Sequence, residues 1–80
     1  MYNRLPGMTG DAHDPLYWDD AYPIALLLKA AHPDTDPIAI DYRVLHSWVI
    51  GLKGFADDPK VMYVDWLERI QAEWVEIESA

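Results

Sequence analysis

FADDPKVMYVDWLERIQAEWVEIE, residues 55–78, decides the fold. It opens on an acidic pair and a proline, Asp57-Asp58-Pro59. Asp58 is placed to act as an N-cap, because its carboxylate can accept the unpaired amide hydrogens of a first helical turn. Pro59 would then take the first helical position, where its missing N–H costs nothing. Downstream, Tyr63, Trp66, Leu67, Ile70, Trp74 and Ile77 recur at helical spacing. At 100° per residue they cover an arc of about 100°, with Asp65, Arg69 and Glu76 opposite. The stretch predicts one helix from Pro59 to about Glu78 with a single buried face.

Two more helices lie upstream. Leu45, Trp48, Val49 and Leu52 keep helical spacing, and Gly51 and Gly54 mark the fraying end of that helix. Before it, Ile38, Ile40 and Tyr42 alternate with smaller or polar residues, which predicts a short extended piece. Pro33-Asp34-Thr35-Asp36-Pro37 leaves neither helix nor strand much scope and reads as a turn. Ile24, Leu27, Leu28 and Ala31 form one face of a first helix. Asp19 and Asp20 are its cap candidates, Pro23 falls in its first turn, and Pro33 stops it. Residues 1–17, with Pro6, Gly7, Gly10 and Pro15 and no periodicity, read as a flexible N-terminal extension, in which Met8 is an alternative start. The folded unit is then 18–80: mainly α, three helices, with little or no sheet.

Composition sets the limits. Eighty residues make one domain, and a chain this short buries only roughly 60% of its unfolded surface. Apolar residues make up 51%, and four tryptophans with five tyrosines supply large core pieces. The absence of cysteine excludes disulfides, a thiolate nucleophile, Cys-ligated zinc and a Cys-held cluster. No run approaches the roughly 18 apolar residues of a membrane span, and no secretory signal is visible, so a cytoplasmic monomer is expected. Fourteen acids against six bases give a net charge of −8. That charge repels nucleic acid and attracts cations or basic protein surfaces, although solubility alone also accounts for it.

Carboxylates without thiols select hard, oxygen-loving cations, or iron held loosely. Two pairs qualify as metal ligands: Asp34 with Asp36 on the turn, and Asp57 with Asp58 before the third helix. Each pair also has a structural use, in caps and turns, and that use is the stronger reading; the two roles are compatible. His46 reads as a packed, hydrogen-bonded histidine rather than a ligand, since no second His or Cys stands at ligand spacing. His13 lies in the extension, and His32 suits a helix C-terminus. Trp66 and Trp74 read as core. Trp18 is the tryptophan expected to be partly exposed, and with Asp20 it is a candidate partner contact. Asp57, Asp58, Asp65, Glu68, Glu73 and Glu76 complete the candidate docking surface for a basic groove. The competing account of the third helix is a plain solvated face relieved by Arg69. No nucleophile–base–orienter set is present, so no enzymatic activity is expected.

The same residues carry a family likeness. Trp18-x-Asp20, Ile24 with Leu28, Pro33-Asp34-x-Asp36-Pro37, Leu45-His46-x-Trp48, Leu52, Phe55-x-Asp57-Asp58-Pro59, Leu67-Glu68-x-Ile70 and Trp74, in this order, resemble the IscX family. The likeness runs from Trp18 to about Glu78. It implies a small winged-helix-like fold and an accessory role in iron–sulfur cluster assembly. It also implies an acidic surface that binds the cysteine desulfurase of that pathway, in competition with a frataxin-type protein. Ferrous iron would be held weakly through carboxylates, with no tightly bound cofactor. Gly51, Lys53 and Gly54 stand where the family is usually richer in acids, and Ala56 where it often adds a third Asp, so the acidic patch near the second helix is thinner. Glu73, Glu76 and Glu78 compensate along the third. The alternative is an acidic winged-helix-like interaction module without a metal role. A nucleic-acid-binding winged helix is disfavoured, because the helix that would enter a groove carries Asp65, Glu68, Glu73 and Glu76.

Overall fold

Leu67, Ile70 and Trp74 are fully buried on one face of the C-terminal helix, and the rest of the chain is arranged around them. The computed structural model describes residues 15–79. Three helices follow in order: α1, Ala21–Ala31; α2, Tyr42–Ile50; α3, Val64–Ser79. α1 lies along α3 and contributes Ile24, Ala25 and Leu28; α2 makes a smaller contact with both and contributes Leu45 and Val49. The mainly α reading holds. Among the described residues there is no β-hairpin to serve as a wing, only an isolated parallel bridge between Leu16 and Phe55.

That bridge moves the edge of the folded unit. Leu16 donates its N–H to the Gly54 carbonyl (2.8 Å) and accepts from Ala56 N–H (2.8 Å), and its side chain is 1% exposed. It belongs to the core, two residues before the boundary expected at Trp18. Gly54 enables this pairing with φ 92°, a left-handed conformation open to glycine without strain. The alternative start at Met8 and His13 lie outside the described residues.

Helix α3 starts at Val64, not at Pro59, and Asp58 is not its cap. The carbonyls a longer helix would use have other partners. A helix begun at Pro59 would use the Asp58 and Val61 carbonyls for its own amides. Here the Asp58 carbonyl accepts the Trp18 indole N–H (2.9 Å) and, across a tight turn, Val61 N–H (3.3 Å), and the Val61 carbonyl pairs with His46 Nε2 (2.8 Å). The first helical bonds instead reach the Tyr63 carbonyl, from Trp66 and Leu67 N–H (both 3.1 Å). Tyr63, expected on the buried face, is exposed in consequence.

Three further local readings change. Asp20 occupies the N-cap position of α1, but its carboxylate turns back to accept Tyr17 N–H (2.8 Å) and caps no helical amide. Ala31 faces solvent. The alternation of Ile38, Ile40 and Tyr42 forms no extended piece: residues 37–39 make a turn closed by Ala39 N–H on the Asp36 carbonyl, and Tyr42 already opens α2. Asp41 caps α2 by accepting Arg43 N–H at 2.7 Å.

Candidate functional site

The aspartates proposed as metal ligands are largely occupied by the backbone. Asp57 accepts Trp18 N–H through Oδ2 (2.9 Å) and Asp58 N–H through Oδ1 (2.7 Å). Asp58 Oδ1 accepts Lys60 N–H (2.9 Å), and Asp36 Oδ1 accepts Ile38 N–H (3.0 Å). Asp34 is exposed on its turn. Among the described residues no group of three or more His, Asp or Glu side chains comes close enough to hold an ion. The chemistry of the pairs suits a hard cation, but the arrangement is not a chelating cage.

Asp57 and Asp58 anchor a buried aromatic assembly. Trp18 is 4% exposed, not partly open to a partner as expected. Its ring stacks on His46 (5.3 Å, 20°) and meets Phe55 edge-on (5.0 Å, 74°). A carbonyl can only accept, so His46 Nε2 carries the proton it shares with Val61. His46 is thus the packed, hydrogen-bonded histidine expected. His32 is stacked flat on Trp48 (3.5 Å, 4°).

The acids of α3 are arranged differently. Asp65, Glu68 and Glu76 are exposed and Glu73 is half-buried at the flank. By helix geometry the four span about 140° of the outer surface, with Arg69 among them. None of the side-chain hydrogen bonds among the described residues uses Glu68, Glu73 or Glu76, and no charged side chain there is buried.

Beside Glu68 lies a feature that residue patterns did not single out. The Tyr42 hydroxyl donates to Gln71 Oε1 (3.1 Å), and Gln71 Nε2 donates to the carbonyls of Pro37 (2.8 Å) and Ile38 (3.3 Å). This network ties the α1–α2 turn to α3. Burial first, and then the negative charge of Glu68, raise the Tyr42 phenol above its ordinary value. The hints in the sequence were Ile38 and Met62, two apolar residues with no place on any helical face.

Comparison with known proteins now adds to the geometry. Residues 16–78 match the family described as iron–sulphur cluster assembly. This chain belongs to that family, the IscX family. Within it, an uncharacterized protein of Pseudomonas aeruginosa is 39% identical over 61 residues, which cover 76% of this chain and 92% of that protein. The match starts at Leu16, the residue whose burial moved the domain edge. Membership ties the chain to iron–sulfur cluster assembly, and no helix among the described residues is long and apolar enough to cross a membrane.

Proposed function

We propose that this IscX-family chain is a non-enzymatic, cytoplasmic accessory of iron–sulfur cluster assembly. It docks as a monomer on the cysteine desulfurase through the acidic outer face of α3 and competes there with a frataxin-type protein. The observation that carries this reading is the set Asp65, Glu68, Glu73 and Glu76, held on a rigid helix whose opposite face is locked into the core. Because the helix is fixed by Leu67, Ile70 and Trp74, the carboxylates present a preset pattern to a basic surface. Such a pattern raises the encounter rate and selects against acidic partners.

Iron enters this proposal as weakly held cargo. One or two exposed carboxylates, with water completing the shell, bind ferrous iron weakly and with little selectivity. Asp34 with Asp36 remains the more available pair, because both Asp57 oxygens already accept backbone amides. Among the described residues no three ligand side chains converge, and the second reading is an interaction module without a metal role. The two readings share the docking face and differ only in iron.

The test is binding of the desulfurase by calorimetry across a salt series. The wild-type chain should bind at low salt and weaken steeply as screening rises. Asp65→Lys with Glu76→Lys should weaken binding at least tenfold and flatten the salt dependence. No complex at low salt would sink the docking proposal. An anaerobic ferrous titration followed by NMR separates the two readings: broadening at Asp34 and Asp36 supports iron, and an unchanged spectrum supports the module alone.

A further inference from the structure

The side of α3 that faces the α1–α2 turn carries Val64, Ala72 and Val75 beside Gln71, Glu68 and Glu76, the last two shared with the acidic outer face. Ile38 is 71% exposed, Val64 47% and Met62 43%, and these three line an open groove of about 710 Å³. A second depression shares Ile38 and Gln71 with it and runs on along α3 past Ala72 and Val75 to Glu76. The two depressions adjoin at Ile38 and Gln71. Exposing an isoleucine, a methionine and a valine side by side in water is unfavourable, and such grouping marks interaction surfaces more often than chance scatter does.

The rim has a sign. Asp41 lies on one wall and Glu68 and Glu76 lie along the continuation, against a single Arg43. The charge of Glu68 reaches into the groove, since it acts on the Tyr42 phenol in the groove wall. The floor is also fixed in place: the Gln71 side chain bonds the carbonyls of Pro37 and Ile38, so the turn bearing Ile38 is tied to α3. An apolar floor with an acidic rim fits one kind of occupant best, a segment with its own apolar stripe flanked by positive charge.

We infer that this groove docks a helical peptide segment of a partner protein, with leucine-like residues on the Ile38, Met62 and Val64 floor and lysine or arginine against Asp41, Glu68 and Glu76. The inference goes beyond the proposal for the outer face. It adds a short-range apolar anchor to long-range charge attraction, and it holds whichever protein supplies the segment. Charge alone would bind many basic surfaces; the apolar floor confines binding to those that also present a stripe.

The test is an NMR titration of the full isotopically labelled chain with three synthetic helical peptides of equal length. One carries a leucine stripe flanked by lysines, one has the leucines replaced by serine, and one has the lysines replaced by glutamate. The first should shift Ile38, Met62, Val64, Gln71 and Val75 and bind at least tenfold more tightly than either control. Met62→Ser with Val64→Ser should weaken it roughly tenfold while the helical circular dichroism stays unchanged, because both side chains are exposed in the free protein. Equal binding of the serine control, or shifts confined to Asp65 and Glu73, would overturn the inference and leave non-selective charge attraction. Neither result depends on whether the desulfurase binds, so this reading and the functional proposal fail separately.

Discussion

Replacing Asp57 by alanine tests whether this carboxylate is a structural pin. Its Oδ2 accepts the part-buried Trp18 N–H and its Oδ1 the exposed Asp58 N–H. Water replaces the second bond at little cost. Water replaces the first less readily, because that bond is part-buried beneath the buried Trp18. A fully buried amide left without an acceptor costs about 1–3 kcal/mol; this one is part-buried, but the lost bond was charge-assisted. We expect Asp57→Ala to destabilise the chain by about 2 kcal/mol. Total stability for a protein of this size is of the order of 4–12 kcal/mol, so this is a substantial share. It corresponds to a fall in Tm of about 8–16 °C. Thermal unfolding followed by far-ultraviolet circular dichroism reads it directly. Asp57→Asn keeps an acceptor oxygen for Trp18 and should lose about half as much. An Asp57→Ala melting curve within about 2 °C of wild type would show that the Trp18 bond carries no stability, and the pin would be refuted.

Other expectations follow from the same coordinates. Leu16→Ala empties a site that is 1% exposed and should cost about 2–4 kcal/mol, read as a lower urea midpoint with an unchanged slope. Gly54→Ala forces a side chain into φ 92° and should cost about 1 kcal/mol by the same measurement. Trp18→Phe should remove a component of the tryptophan emission that iodide cannot quench, since Trp18 is buried. The raised Tyr42 phenol should ionise above the usual tyrosine range in an ultraviolet pH titration, and Glu68→Gln should lower it only part of the way, because burial is the larger cause. For a group whose folded value is raised, the folded state holds the proton longer. The Tyr42 contribution is therefore intact below about pH 10 and is lost as pH rises through the folded value, so alkaline unfolding should be eased there.

The body of each helix was legible because its signal is local. Ile24 with Leu28, Leu45 with Val49, and Leu67, Ile70 and Trp74 repeat at helical spacing and are all fully buried. What was hidden depends on contacts across the chain. Asp58-Pro59 is a strong helix start by local rules, but Trp18 and His46 claim the carbonyls such a start would use, from 40 and 15 residues away. Trp18 looked partly exposed because it stands just before the first helix; its partners Phe55, Asp57 and Asp58 lie in a different part of the sequence. Leu16 is a lone apolar residue between Pro15 and Tyr17, with no periodicity to mark it as core. The alternation at Ile38, Ile40 and Tyr42 is genuine, but among the described residues there is no strand for it to join, and Asp41 caps α2 just before Tyr42. Of the candidate site, the acidic face of α3 was readable from helix phase. The apolar groove was not, because it joins a turn, a loop and a helix flank that only the fold brings together.

Many of the described carboxylates fall into two working groups, set by whether the residue lies in a loop or on the outer face of α3. Aspartate reaches its own neighbourhood of backbone, and Asp20, Asp36, Asp41, Asp57 and Asp58 each accept an amide hydrogen within three residues. Glutamate on a helix is carried outward past its own backbone, and Glu68, Glu73 and Glu76 have no such bond among the described residues. These five aspartates therefore hold the fold, while Asp65, Glu68, Glu73 and Glu76 point outward from α3, and Glu78 at its end accepts the Trp74 indole N–H (3.2 Å). Asp57→Asn and Glu68→Gln each remove one negative charge from the net −8, so a pure net-charge effect would be equal in both. If position rather than total charge governs, the first change lowers melting and the second weakens docking with no change in melting. Equal loss of docking from the two would mean that the whole molecule's field, and not the face of α3, draws the partner.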